Sequence, residues 1–127
     1  MNYAGVEHTA IAAKDTDALA KWYCDTFGFT VAYKNAKEPP TYFVKLGESL
    51  IELIPASDAD RQSRENTDPG LSHMAISVDD FDAAASDLEG KGVTVGNVRE
   101  ASGGVKVGFL EDPEGNLLQV IMRPEKL

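Results

Sequence analysis

Polar and apolar positions in this chain follow two alternating periods, and the order in which they alternate repeats. Residues 5–12 read as a strand. Over 15–27, Leu19, Tyr23 and Phe27 fall at the spacing of one helix face, with Gly28 as the stop. Short apolar runs at 29–33, 41–46 and 49–54 then predict three strands, the last two joined by a tight turn at Gly47-Glu48. The second half predicts the same series. A strand over 71–78 leads to a helix over 80–91 whose Phe81, Ala84, Ala85 and Leu88 share a face and which Gly90 and Gly92 end. Strands follow at 93–97, 105–110 and 117–122, with the last turn built from Asp112, Pro113, Glu114, Gly115 and Asn116.

The stretch His8-Thr-Ala-Ile-Ala-Ala-Lys-Asp-Thr-Asp-Ala-Leu-Ala matches His73-Met-Ala-Ile-Ser-Val-Asp-Asp-Phe-Asp-Ala-Ala-Ala, and the run around Glu52 (Leu-Ile-Glu-Leu-Ile) matches the run around Gln119 (Leu-Leu-Gln-Val-Ile). The reading is therefore an α+β fold of two tandem βαβββ modules, residues 1–55 and 71–127, within one domain of residues 1–127. A polar link at 56–70 without apolar periodicity joins them.

Side chains alternate across a strand, so parity assigns faces. His8 and Glu52 lie opposite Ile11, Ile51 and Leu53, while His73 and Gln119 lie opposite Met74, Ile76, Leu118 and Val120. The apolar face packs under each module's helix and the polar residue turns to the other side. The chain has 2 histidines, both at the same place in the repeat. Imidazole, carboxylate and carboxamide oxygen all donate to a borderline divalent ion, so His8, Glu52, His73 and Gln119 are candidate metal ligands with coordination positions left for water or substrate. The alternative is a pair of duplicated histidines held by hydrogen bonds in a polar core. Tyr42, Phe43 and Phe109 are candidate pocket residues. Lys45, Lys106 and Arg99 are candidate contacts for an anionic group, solvated surface charge being the ordinary reading of each.

Composition narrows the classes of function. The 127 residues carry 12 Lys and Arg against 21 Asp and Glu, a formal charge of -9 that repels nucleic-acid phosphates and anionic lipid headgroups. No apolar run approaches the roughly 20 residues that span a bilayer. A single cysteine, Cys24, makes no intramolecular disulfide, and the first residues lack a signal-peptide pattern. The expectation is a cytoplasmic protein with a small-molecule ligand and neither nucleic acid nor membrane as partner.

His-Thr-Ala-Ile at His8, Lys-Trp-Tyr-Cys-Asp-Thr-Phe-Gly-Phe from Lys21, the run around Glu52, Leu-Ser-His-Met-Ala-Ile around His73 and Asp-Pro-Glu-Gly-Asn-Leu-Leu-Gln-Val from Asp112 resemble the vicinal oxygen chelate superfamily. This superfamily includes glyoxalase I, methylmalonyl-CoA epimerase, extradiol dioxygenases and bleomycin resistance proteins. The resemblance implies an open cup-shaped barrel and one divalent ion (Zn, Ni, Co, Mn or Fe) held at the positions of His8, Glu52, His73 and Gln119. It also implies a homodimer. Its chemistry would be lyase or isomerase action by proton abstraction next to a chelated carbonyl. Gln119 stands where most relatives carry Glu and has no basic oxygen at neutral pH, which leaves Glu52 as the candidate catalytic base. Ala12 and Ala56 stand where glyoxalase I proteins hold glutathione, implying another substrate. The other outcomes of the resemblance are a metal-free sequestering protein, as in bleomycin resistance, and an extradiol-type dioxygenase.

Overall fold

A computed structural model describes residues 1–127 and divides them into two compact units, Met1–Arg61 and Gln62–Leu127. The first holds β1 (His8–Ala13), α1 (Thr16–Phe27), β2 (Thr30–Lys34), β3 (Tyr42–Leu46) and β4 (Ser49–Pro55). The second holds β5 (Met74–Ser77), α2 (Phe81–Gly90), β6 (Gly96–Glu100), β7 (Lys106–Glu111) and β8 (Leu117–Met122), with a single 3-10 turn at Ser102–Gly104. Each unit is a four-stranded sheet, ordered β1-β4-β3-β2 and β5-β8-β7-β6. The first strand pairs parallel with the last and the remaining pairs are antiparallel. The fold is α+β and both units are βαβββ. No helix is long and apolar enough to cross a membrane.

The helices start and stop by local chemistry. Asp15 Oδ1 accepts from the Ala18 amide at 2.9 Å, and Asp80 Oδ1 accepts from the Ala83 amide at 3.0 Å, so one carboxylate satisfies an otherwise orphaned donor in each first turn. At the far end of α1, Gly28 adopts φ 82° and donates to the Cys24 carbonyl, a left-handed cap that a side chain resists. The buried stripe of α1 is Thr16, Leu19, Ala20, Tyr23 and Thr26, so Leu19 and Tyr23 keep their expected place while Phe27 is only half-buried. Phe27 instead closes an aromatic cluster with Trp22, Tyr23 and Phe29.

Three strands start three residues later than the sequence predicts. Strand β1 begins at His8, because the residues before it find no partner strand: the register starts with His8 beside Leu50, and Val6 is 89% exposed. Strand β5 begins at Met74, leaving His73 immediately before it. Strand β6 lies at Gly96–Glu100 and not at 93–97, because α2 unwinds through Lys91 and Gly92 with the Val93 amide donating back to the Leu88 carbonyl.

The helix-facing side of each sheet is filled by an aromatic ring from a different source. In the first unit Tyr42, on β3, is buried, and its hydroxyl donates to Asp17 Oδ1 at 2.6 Å with Lys34 Nζ 5.4 Å from the ring centre. In the second, Gly108 occupies the matching strand position, and Phe81 from α2 supplies the ring instead. Lys106 Nζ lies 5.2 Å from that ring and 2.9 Å from Asp82. A Cβ on Gly108 would stand 2.6 Å from Val95 Cγ1 and 3.0 Å from Phe81 Cζ. Gly108→Ala is therefore expected to lower unfolding free energy by about 1–3 kcal/mol through overpacking, read from urea unfolding at unchanged m-value. A loss near zero would show that Phe81 is free to move aside.

Candidate functional site

Burial along β1, β4 and β5 follows the parity of the faces, whereas in β8 Gln119 is buried along with Leu118 and Val120. In β1, Thr9, Ile11 and Ala13 turn inward while His8, Ala10 and Ala12 are exposed. In β4, Ile51 and Leu53 are buried and Glu52 lies half-buried on the other side. In the second unit Leu118 and Val120 are fully buried toward the helix, and His73 is exposed just ahead of half-buried Met74.

On the face away from the helix the two units carry the same construction. Ala10, two residues after His8, pairs with Glu52, and Ala75, two residues after His73, pairs with Gln119. Across the sheet Phe43 stands beside Glu52 and Phe109 beside Gln119. Each phenylalanine meets its histidine edge to face, with ring centres 5.3 Å apart for Phe43 and His8 and 5.4 Å for Phe109 and His73. Each histidine is also held at Nδ1 by the residue before it: Glu7 Oε1 at 2.8 Å from His8 and Ser72 Oγ at 2.9 Å from His73. That leaves both Nε2 atoms as the nitrogens available to a ligand, and in the first unit His8 Nε2 lies 3.5 Å from Glu52 Oε1.

This donor set suits a divalent ion. Two donors each about 2.0–2.2 Å from one ion span a 3.5 Å separation at a roughly tetrahedral angle, and an Nδ1 partner is the usual way a protein fixes a ligating imidazole. The structure gathers no group of three or more His, Cys, Asp and Glu side chains into a metal-holding cluster; it shows one His/Glu pair and one His/Gln face.

The expected pocket aromatics separate. Phe43 and Phe109 lie beside the histidines, whereas Tyr42 is turned to the helix side, where its hydrogen bond to Asp17, with burial adding to it, pushes the phenol pKa up. Tyr42 is thus a core residue and does not line this face. Lys106 is likewise on the helix side, paired with Asp82. Cys24, half-buried in α1, has its thiol pKa pushed up by burial and then by the neighbouring Asp25, which suits a packing role and not a nucleophile. Sequence reasoning passed over Glu7 and Ser72, although each directly precedes its histidine. It also passed over Tyr33, whose ring lies 6.3 Å from that of Phe43.

The chain belongs to the Glyoxalase/Bleomycin resistance protein/Dioxygenase superfamily, whose family model matches residues 5–120. It is 35% identical to the uncharacterized protein YaeR of Escherichia coli over 121 residues, covering 91% of this chain and 93% of that one. It is 29% identical over 130 residues to a Synechocystis protein named "Probable lactoylglutathione lyase", covering 94% of this chain and 95% of that one. A glyoxalase family protein from Enterococcus faecalis has the same fold, with a TM-score of 0.81 at 24% identity, covering 95% of this chain and 99% of that one.

Proposed function

We propose that the chain is a metal-dependent lyase or isomerase that removes a proton from the carbon next to a substrate carbonyl. The observation that carries this reading is the His8/Glu52 pair, an imidazole nitrogen and a carboxylate oxygen 3.5 Å apart on the open face of the first sheet, repeated in form by His73 and Gln119. His8 and His73 would bind through Nε2, Glu52 through a carboxylate oxygen and Gln119 through its amide oxygen. When bound, a divalent ion supplies Lewis-acid polarisation to the carbonyl, which acidifies the neighbouring C–H. Glu52 takes that proton on a carboxylate oxygen while the C–H electron pair shifts toward the carbonyl oxygen, and delivery of a proton to the former carbonyl carbon, or to the opposite face of the first carbon, gives the isomerised product. Glu7 accepts from the Nδ1–H of His8 and so favours the tautomer that presents a bare Nε2, while Ser72 Oγ orients the His73 ring at Nδ1. The phenylalanines pack edge to face against each histidine and fix one side of the ring. The superfamily relation and a relative named as a lactoylglutathione lyase support the lyase form.

His73→Ala tests the ligand assignment. Elemental analysis of natively purified protein is expected to show a divalent ion in the parent and its loss in the variant, at matched folding by circular dichroism. Equal occupancy in both would remove His73 from the ligand set.

A further inference from the structure

The two open faces diverge at the position next to the phenylalanine. In the first unit Tyr33 on β2 pairs with Phe43 and its ring packs against it. In the second, Gly96 on β6 pairs with Phe109, and a Cβ built there would meet nothing within 4 Å. The register then shifts between Gly96 and Arg99, with Asn97 at φ 50°, and the extra backbone swings Arg99 over the Phe109 ring, its guanidinium carbon 5.8 Å from the ring centre. Arg99 is exposed and has no carboxylate within ion-pair distance, in a chain where acids outnumber bases 21 to 12. Of the other candidate cations, Lys106 is paired with Asp82 on the helix side, and Lys45 stands level with Thr30 and Leu50, beyond Phe43.

We propose that Arg99, held over the Phe109 ring beside His73, binds an anionic oxygen group of the substrate in the space left by Gly96. This rests on the function proposed above and narrows its substrate class to carbonyl compounds that carry a carboxylate or phosphate apart from the reacting carbonyl. A guanidinium held over a ring by a cation–π contact keeps its N–H fork free, and its planar fork matches two oxygens of a carboxylate or phosphate. At the register position of Glu52 the second sheet carries the uncharged Gln119, so the strand neighbour of Phe109 adds no negative charge beside Arg99.

The test titrates metal-loaded and metal-free protein with 2-oxoglutarate, with its distal amide 2-oxoglutaramate and with dihydroxyacetone phosphate, following the ring resonances of His73 and Phe109 by NMR. The parent is compared with Arg99→Gln, Arg99→Lys and Gly96→Tyr. Arg99→Gln is expected to weaken 2-oxoglutarate roughly tenfold or more and leave 2-oxoglutaramate unchanged, with Arg99→Lys intermediate. Gly96→Tyr, which fills the space without altering charge, is expected to weaken it as well. Tighter binding of the phosphate than of the dicarboxylate would assign the anion as phosphate. Arg99→Gln affinity equal to that of the parent, or an equal loss for the neutral amide, overturns the proposal. If the protein takes up no metal, the function proposed above fails. The role of Arg99 is then still decided on the metal-free protein, by whether 2-oxoglutarate moves the Phe109 and His73 resonances only when Arg99 is present.

Discussion

Glu52→Gln is expected to slow solvent deuterium exchange into the carbon next to a bound substrate's carbonyl by about 10²–10⁴-fold at equal metal occupancy, the usual contribution of a positioned general base. The amide keeps the size of the side chain and one oxygen beside His8 Nε2, now 3.5 Å from the carboxylate, but has no pair basic enough to take a proton at neutral pH. Matching occupancy is essential, because the same change removes a charged ligand and weakens the ion's hold. Exchange as fast as in the parent would make Glu52 a ligand only. The second sheet offers no substitute at the matching register, since Gln119 is already an amide.

The largest stability effect is expected at Tyr23. Its side chain is fully buried on α1, with its ring edge on Trp22 at 5.1 Å and on Phe29 at 5.5 Å. Truncation to Ala should cost about 3–5 kcal/mol, the range for emptying an aromatic site in a core that cannot collapse around it. A domain of this size holds roughly 5–15 kcal/mol in all, so the variant should unfold at much lower urea concentration. Tyr23→Phe separates the ring from the hydroxyl and is expected to retain most of the stability. A loss below about 1 kcal/mol for Tyr23→Ala would show that Trp22 and Phe27 refill the space.

Much of this was legible from residue order. Both helices follow an aspartate cap, strand parity separates Glu52 from Ile51 and Leu53, and the repeat sets His8 and His73 at matching positions. Where reading failed, long-range or backbone causes were at work. Tyr42 and Phe43 are adjacent on one strand, so they cannot both face the histidines; parity decides this, but only the bond to Asp17 shows which of them turns to the helix. The bulge that carries Arg99 onto Phe109 leaves no hydrophobic pattern, because every residue of β6 is exposed. The shift of β6 itself came from the unwinding of α2 past Gly92, which a stop signal locates only loosely.

The different sources of the buried ring, Tyr42 from a strand in one unit and Phe81 from a helix in the other, bear on how the two copies can exchange material. A recombination event that moved β3 into the place of β7 would bring a second ring against Phe81, and the reverse transfer would empty the place of Tyr42 beside Asp17. Neither product keeps native packing density. Helix and strand must travel together. The two copies thus share a backbone plan without sharing interchangeable cores, and a change of ring size in either one calls for a matching change at its partner position.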